Sequence, residues 1–240
     1  MPKPSSIELA GAEPIPILYE DRSVLAIDKP RGWMLVPFSW QKTTRNLQAA
    51  IVSSIAAGDF WARSRGLKFL RFVHRLDAET TGVMLFAKSQ GAVESYSDLF
   101  ESQRMAKTYL AVVVGKPKQT VWTCRSKLAP DTRQIGRMKV DARHGKEAET
   151  HFRVLQNREV TSLIEARPLT GRTHQIRVHL AKSGCPVLGD ELYGRANKGF
   201  ELGLRAVRLA YTDPFTRQRV EIRAPAEEFC REYGFDISIL

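Results

Sequence analysis

The chain has 240 residues, enough for one large domain or two small ones, and its composition of 43% hydrophobic and 26% charged residues excludes wholesale disorder, collagen and coiled coil. No apolar run reaches the roughly 18 residues that a membrane helix needs, and the amino terminus lacks the apolar stretch of a secretory peptide. The three cysteines form no C-x-x-C pair. We therefore expect a cytoplasmic protein with reduced cysteines and no zinc site.

In chain order, residues 1–14 are rich in proline and polar side chains and are predicted to form a flexible tail. Compact or alternating apolar runs predict strands over residues 16–19, 23–28, 69–76, 83–88, 107–115, 121–128, 149–155, 161–167, 204–211 and 218–223. Helical spacing predicts helices over residues 44–57, 91–101, 173–183 and 226–233, with Gly58 and Gly184 closing the first and third. Many strands, few helices and no strict alternation of the two indicate an α+β fold around a largely antiparallel or mixed sheet.

The net charge of +11 is concentrated in the middle of the chain. Residues 61–180 carry 22 basic and 11 acidic side chains, whereas the two flanking quarters are each balanced. Two basic runs stand out, over residues 63–75 and 125–146, with Trp61, Phe69, Phe72 and Trp122 in or beside them. This pattern favours nucleic acid as the partner, and the alternatives are a solvated basic face or an acidic membrane surface.

The first segment whose residues could take part in a reaction covers residues 69–82. In a strand over residues 69–76, the period of two places Arg71, Arg75 and Asp77 on one face. The two guanidiniums would keep Asp77 ionised, as a carboxylate nucleophile requires. The alternative is that Asp77 only turns the chain by accepting backbone hydrogen bonds, and geometry alone favours that alternative.

The second segment covers residues 168–180. If its helix begins near Thr173, His174 and Arg177 share a face, and Arg177 presents a planar guanidinium suited to gripping a carboxylate or phosphate at two points. His174 and His179 are five residues apart with no acidic ligand beside them, so packing roles are favoured over metal binding.

The third segment is a strand that places Tyr109 among aliphatic residues. Its ring is either part of the core or a flat face on which a base stacks, and the residues alone favour the core. Neither a G-x-x-x-x-G-K-[ST] loop nor a G-x-G-x-x-G loop occurs, which disfavours chemistry driven by a nucleotide cofactor.

Taken together, these segments resemble the RluA-type RNA pseudouridine synthases. The match covers roughly residues 15–225 and consists of five elements in the order of the family. They are Asp28-Lys-Pro-Arg-Gly32, His74-Arg-Leu-Asp-Ala-Glu-Thr-Thr-Gly82, Lys107-Thr-Tyr-Leu-Ala111 with Gly115, the stretches Arg137-Met-Lys-Val and Lys146-Glu-Ala-Glu-Thr-His-Phe-Arg-Val, and Leu169 through Gly194. Each element alone is weak evidence, but five in this order do not arise easily by chance.

The resemblance implies a single pseudouridine synthase catalytic domain over residues 15–240. It would isomerise selected uridines in structured RNA without metal, nucleotide or organic cofactor. It also implies that Asp77 is the nucleophile, that Arg75 fills the space left by a flipped base, that Tyr109 stacks on the uracil, and that Arg177 forms an ion pair with Asp77. Further substrate contacts are expected from Arg71, His74, Arg172 and Ile176.

Three features depart from the family pattern. Thr81 replaces a serine of the T-S-G turn, which should preserve the turn. Residues 37–70 differ from the sequence that the family usually has between its first two motifs. The basic end of this stretch is expected to influence the choice of substrate. Too few residues precede Tyr19 for the S4 RNA-binding domain that many relatives carry. We therefore expect a monomeric, stand-alone enzyme that recognises a compact stem-loop of ribosomal or transfer RNA unaided.

Two other hypotheses remain open at this point. One is an RNA-binding or RNA-remodelling protein on the same scaffold without turnover. The other is a glycosidic enzyme that does not act on RNA, for which the basic patch would have no purpose.

Overall fold

The computed structural model describes residues 2–35, 45–194 and 199–236, and the descriptions below refer to these residues. Its contacts divide the chain into two compact units. The first unit comprises Met1–Arg104 and Ala210–Ala224, and the second comprises Met105–Leu209 and Pro225–Leu240.

The first unit is built on a small antiparallel sheet with three helices. Its elements are β1 (Ser6–Ile7), β2 (Ile15–Glu20), β3 (Val24–Lys29), α1 (Leu47–Ala57), α2 (Phe60–Arg63), β4 (Arg71–Phe72), β5 (Thr81–Ala87) and α3 (Gln90–Glu101). The strand order is β1-β2-β3-β5, and β4 also pairs with β5. All residues of β3 except Asp28, and all of β5 except Thr81, are buried, so these two strands form the centre of the unit.

Local sequence explains the two long helices of this unit. The Asn46 side chain caps α1 by accepting from the backbone N–H of Ala49, and Gly58 ends the helix in the left-handed conformation. Ser89 caps α3 in the same way at the N–H of Ala92. Leu47 and Ile51 of α1, four residues apart, are fully buried, as the helical period requires.

The second unit contains a four-stranded antiparallel sheet, a separate two-stranded sheet and two helices. Its elements are β6 (Ala106–Val114), β7 (Val121–Cys124), β8 (Leu128–Pro130), β9 (Met138–Val140), β10 (Thr150–Asn157), β11 (Thr161–Pro168), α4 (Gln175–Lys182) and α5 (Glu227–Glu232). The strand order is β6-β11-β10-β7, with β8 and β9 paired to each other. Helix α4 buries Ile176 and Leu180 in a core that includes Ala111, Phe152 and Ile164 of the sheet.

The last two strands follow near the end of the chain. Strand β12 (Leu204–Thr212) begins in the second unit and ends in the first, where β13 (Arg219–Arg223) pairs with it. Few helices and antiparallel pairing within both units confirm the predicted α+β class.

Several predicted boundaries differ from the structure. Within the predicted tail, Ser6–Ile7 pairs with β2 and Ile7 is fully buried. The predicted strand over residues 121–128 ends at Cys124, and β8 begins at Leu128. Helix α4 begins at Gln175 rather than Thr173. The predicted start of the first helix, Thr44, lies outside the described residues.

The prediction of a strand over residues 69–76 is wrong beyond Phe72, because β4 contains only Arg71 and Phe72. The expected alternation of faces also fails there. Val73 and Leu76, three residues apart, are the buried apolar side chains of the following loop. Asp77 therefore lies in a loop rather than at the end of a strand.

Candidate active site

In the first unit, Asp77 is half-buried in the loop that leads into β5. The backbone N–H of Thr80 donates to the main-chain carbonyl of Asp77 at 3.2 Å, which closes the turn. This turn bond uses the main chain of Asp77 and not its carboxylate. Gly32, with a φ of 76°, donates its N–H to the carbonyl of Ala78 at 3.0 Å and ties this turn to the end of β3.

Lys29 holds the same turn from within the protein. Its side chain is fully buried, and its Nζ donates to the carbonyls of Pro30 at 3.0 Å, Ala78 at 2.7 Å and Thr80 at 3.0 Å. An ammonium group has three hydrogens, so all three are used. Burial lowers the pKa of Lys29 to about 8, and the nearby carboxylates of Glu79 and Asp77 oppose that shift. Sequence reasoning noted Lys29 only as part of a motif and did not predict this role.

His74 explains why the strand ends where it does. Its Nε2 accepts the backbone N–H of Leu85 at 3.0 Å, and its ring stacks on Phe100 of α3 with centroids 4.5 Å apart. Strand β4 pairs Phe72 with Phe86, so the next bonds of the ladder would involve Leu85. A side-chain nitrogen thus replaces a main-chain carbonyl, and the chain leaves the sheet just before Arg75 and Asp77. Since Nε2 is the acceptor, the neutral ring carries its proton on Nδ1.

The two arginines predicted beside Asp77 are both exposed. Arg71 lies in β4 and Arg75 in the loop, two residues before Asp77. Exposed guanidiniums on the segment that leads to Asp77 suit contacts with a polyanion.

In the second unit, Tyr109 lies in β6 opposite Ala166 of β11 and packs, partly buried, against the unit's core. Lys107, two residues earlier, is buried and donates its Nζ to the carbonyls of Leu169 at 3.3 Å and Thr170 at 3.0 Å. Burial, together with the positive charge of Arg172, lowers the pKa of Lys107 to about 8. Each unit therefore uses a buried lysine to hold a loop next to its predicted site residues, after Asp77 in the first unit and before Arg172 in the second.

Gln175 fixes the start of α4. Its Oε1 accepts from the Thr170 hydroxyl at 2.6 Å and from the Arg172 N–H at 3.0 Å, and its Nε2 donates to the Glu149 carbonyl at 2.9 Å. His174, just before the helix, has a φ of 54° and is not part of α4, yet its ring and the Arg177 guanidinium both contact Tyr193. The buried glutamine amide sets the direction in which the helix leaves the sheet.

Arg177 is anchored by Asp190, a partner that sequence reasoning missed. Its Nε and Nη2 each donate to one Asp190 oxygen at 2.8 Å, and both side chains are buried. Asp190 also accepts the N–H groups of Leu192 and Tyr193. The guanidinium carbon lies 5.2 Å from the centre of the Tyr193 ring. The guanidinium is thus oriented by a bidentate pair and an aromatic face.

The histidines of this segment have structural partners, as the sequence favoured. His179 is fully buried, with Nδ1 at 3.0 Å from the Thr150 hydroxyl and Nε2 at 3.0 Å from the Ser126 carbonyl. Its pKa is lowered by burial. His174 Nδ1 lies 2.8 Å from the Tyr193 hydroxyl. Both rings therefore have polar partners within the protein, as a packing role requires.

The last two predicted substrate contacts differ in exposure. Arg172 is exposed and donates its Nε to the Glu147 carbonyl at 3.0 Å, whereas Ile176 is buried in the core. Arg177 and Tyr109 belong to the second unit and Asp77 to the first, so the implied ion pair between Arg177 and Asp77 stays a prediction.

The described ranges contain no group of three or more His, Cys, Asp or Glu side chains arranged to hold a metal ion. In those same ranges, no helix has both the length and the apolar character that crossing a membrane requires.

Comparison with known proteins identifies the family. A sequence model described as RNA pseudouridylate synthase matches residues 23–182. Ribosomal large subunit pseudouridine synthase C of Escherichia coli (strain K12) is 34% identical over 223 residues, covering 88% of this chain and 66% of that protein. Ribosomal large subunit pseudouridine synthase D of Borreliella burgdorferi is 34% identical over 186 residues, covering 77% of this chain and 56% of that protein.

A solved structure agrees with the sequence relatives. The chain is similar to human RNA pseudouridylate synthase domain containing 1, with a TM-score of 0.72, 26% identity, and coverage of 92% of this chain and 87% of that one. The chain therefore belongs to the RNA pseudouridylate synthase family, and the resemblance inferred from its motifs is confirmed. It spans about two thirds of the length of the synthase C relative and less of the synthase D relative.

Proposed function

We propose that the chain isomerises uridine to pseudouridine in ribosomal RNA of the large subunit, with Asp77 as the nucleophile. The observation that carries this proposal is the placement of Asp77. It lies half-buried, inside the segment that the family model matches, on a turn whose Ala78 carbonyl accepts from both Lys29 and Gly32. The relatives named as ribosomal large subunit pseudouridine synthases support the choice of ribosomal RNA.

The chemistry requires a base that leaves its stack. The bond between ribose C1′ and uracil N1 breaks, the freed uracil turns, and C1′ bonds to C5 while the hydrogen of C5 leaves as a proton and N1 takes up a proton. Product and substrate are isomers, so the reaction needs no oxidant or reductant. A carboxylate at Asp77 supplies negative charge where C1′ becomes electron-poor.

The second unit supplies the other proposed groups. Arg177 forms the ion pair with Asp77, and Tyr109 stacks on the uracil. The bidentate grip of Asp190 supports the role of Arg177, because a guanidinium fixed in one direction loses no freedom when it meets a carboxylate. The partial exposure of Tyr109 at the edge of the core supports the stacking role.

The remaining predicted residues divide into two groups. We propose that the exposed Arg71, Arg75 and Arg172 contact RNA, with Arg75 taking the space of the flipped base. His74 and Ile176 support the site from within, since His74 is bonded to the backbone of β5 and Ile176 lies in the core.

The test is release of tritium from RNA labelled at uridine C5, because formation of the new bond expels that label. We expect wild type to release tritium from a large-subunit ribosomal RNA transcript, and Asp77→Asn to release none while binding the RNA within a few fold. Asp98→Asn is the matched control, since Asp98 is an exposed carboxylate of the same unit. Equal turnover by Asp77→Asn would reject the proposed nucleophile. Salt-sensitive RNA binding without release from ribosomal or transfer RNA would favour a binding protein.

We further propose that the protein acts as a monomer in the cytoplasm on a compact stem-loop. Light scattering tests the monomeric state, and cell fractionation tests the location. Trimming of the RNA around the modified position tests whether a compact stem-loop is sufficient.

A further inference from the structure

The basic run over residues 63–75 contributes to a pocket that lies away from Asp77. A cavity of about 610 Å³ in the first unit is lined by Arg22, Arg65, Lys68 and Phe69, among others. It lies where β2 ends, where β3 begins and where Lys88 follows the end of β5. The catalytic segment uses none of these residues, so the pocket requires its own explanation.

The two acids in this lining both have partners within the protein, and Glu20 is paired with cations. Glu20 pairs with Arg65 at 2.9 Å, with Lys88 at 2.7 Å and with Lys3 at 3.7 Å. Burial raises the pKa of Glu20, but the hydrogen bonds from Lys88 and Arg65 outweigh it, and the net shift is downward. Asp21 accepts the backbone N–H groups of Ser23 and Val24.

Two cations of the lining remain directed to solvent. Arg22 and Lys68 are exposed, and within the described part of the chain neither side chain makes a hydrogen bond or ion pair. Three other cations, Lys3, Arg65 and Lys88, surround Glu20. The pocket therefore has a surplus of positive charge with two side chains available to an anion. The half-buried Phe69 adds an aromatic ring to the same lining.

The chain connects this pocket to the Asp77 turn. Strand β5 pairs its end, Ala87, with Val24, and its beginning, Gly82, with Lys29, which holds the Asp77 turn. Seven residues of an antiparallel strand span about 20 Å, so this distance separates the pocket from the turn. The exposed Lys68, Arg71 and Arg75 follow one another in the chain from the pocket towards Asp77, and Arg71 lies opposite Ala87 at the pocket end of β5.

We propose that this pocket binds the RNA strand that continues from the target uridine, with phosphates at Arg22 and Lys68 and a base stacked on Phe69. The proposal rests on the proposed function and names a contact of its substrate about 20 Å from the nucleophile. Cations in a row match a chain of phosphates, and an aromatic ring beside them matches a base. Binding of an acidic protein or an anionic lipid surface would not explain why the cations continue towards Asp77.

The test compares Arg22→Gln/Lys68→Gln with Lys116→Gln/Lys118→Gln, a control that removes two exposed lysines of the second unit. The probe is fluorescein-labelled oligouridylate of 12 nucleotides, and its Kd is measured by anisotropy from 50 to 300 mM salt. We expect the first variant to bind about tenfold more weakly, and its slope of log affinity against log salt to fall by about 1.4, since each contact to single-stranded RNA contributes about 0.7. The control should match wild type in both quantities. Equal slopes for the two variants would overturn the proposal.

Two further measurements separate the parts of this proposal. Phe69→Ala should weaken binding of the same probe about fivefold with an unchanged salt slope, because stacking releases no counterions. A stacked tetranucleotide, about 14 Å long, is too short to reach from the pocket to the nucleophile but carries enough phosphates for the pocket itself, so Arg22→Gln/Lys68→Gln should weaken its binding as well. Equal tetranucleotide affinity of wild type and that variant would contradict phosphate contacts at these two side chains.

The binding measurements test the pocket whether or not the protein turns over RNA. If no RNA releases tritium, the proposed reaction fails, while the binding slopes still decide whether the pocket holds RNA. If tritium is released, we expect Arg22→Gln/Lys68→Gln to raise KM about tenfold at unchanged kcat. A loss confined to kcat would overturn the pocket as an RNA contact.

Discussion

Arg177 shows how a single side chain can be oriented by residues that lie far along the chain. Its bidentate pair with Asp190 requires a planar group with two parallel donors, which lysine does not have. We therefore expect Arg177→Lys to lower kcat about 100-fold, a cost typical of losing one oriented electrostatic contact, with RNA affinity within threefold. Tritium release at saturating RNA and filter binding measure the two quantities.

Arg153→Lys serves as the control for that substitution, because Arg153 forms an exposed pair with Glu165 that contributes little energy. Equal losses of kcat and RNA affinity in Arg177→Lys would instead identify Arg177 as a phosphate contact.

The same pair predicts a large effect on stability. Asp190→Ala leaves the Arg177 charge buried without its carboxylate, and we expect the free energy of unfolding to fall by about 3–5 kcal/mol. Arg177→Met/Asp190→Leu removes the charge as well as the carboxylate, so it should recover part of that loss without recovering turnover. Urea unfolding checks the first statement and tritium release the second. A double variant no more stable than Asp190→Ala would show that the cost comes from elsewhere.

Lys29 predicts a dependence of stability on pH. Its pKa is about 8 in the folded protein and 10.5 in the absence of the fold, so between these values the unfolded chain binds more protons. Stability therefore rises with pH across this window, and the contribution is lost as the pH falls through about 8. The difference of 2.5 pKa units corresponds to about 3 kcal/mol. Comparing wild type with Lys29→Met in urea from pH 7 to 11 isolates this contribution, and parallel curves for the two proteins would contradict it.

At the scale of elements, the end of strand β4 depends on one histidine ring. The Nε2 of His74 accepts the Leu85 N–H, so His74→Ala leaves that donor without its acceptor and should cost about 1–3 kcal/mol. We expect faster hydrogen exchange at the Leu85 amide and a lower kcat, because the loop that carries Asp77 loses its anchor on β5. His74→Gln supplies an acceptor oxygen and should restore part of both. Unchanged exchange at Leu85 in His74→Ala would contradict this role.

These elements also show how far sequence reasoning reaches. Helices α1 and α3 were predictable because their signals are local: Asn46 and Ser89 cap their starts, and Gly58 ends the first. The strand through His74 was not, since the residues there alternate like a strand while the ring of His74 takes the place of a backbone group. Local sequence patterns therefore predict a helix or strand best when the side chains that begin or end it lie next to it in the sequence.

The site was predictable only in part for a related reason. Motif order pointed to Asp77, Tyr109 and Arg177 as individual residues. The partners that hold this region in place, Lys29 on the Asp77 turn and Asp190 on Arg177, are joined to it by contacts between segments distant in sequence. No periodicity in one segment encodes such a contact, so only the fold reveals it.

At the scale of the whole molecule, the charge surplus is divided between the two units. The basic run over residues 125–146 lies largely on the β8–β9 sheet and its flanking loops, where Arg133 and Arg143 are exposed. The acids of this run are partly engaged, since Asp141 accepts the N–H groups of Arg143 and His144. The backbone hydrogen bond from His144 is the largest of the effects that lower the pKa of Asp141. The second unit thus has an exposed cationic surface of its own, which we expect to contact RNA.

This division predicts that RNA affinity and turnover can be separated in the second unit as well. Arg133→Gln/Arg143→Gln removes two exposed charges without touching Tyr109 or Arg177, so we expect KM for a ribosomal RNA transcript to rise while kcat stays unchanged. The slope of log affinity against log salt should fall by about 1.4 to 1.8, the share of two phosphate contacts. Lys116→Gln/Lys118→Gln, with the same change of charge, should leave that slope as in wild type. If both variants lower the salt slope equally, RNA affinity depends on net charge alone. In that case no particular surface of the second unit binds the RNA.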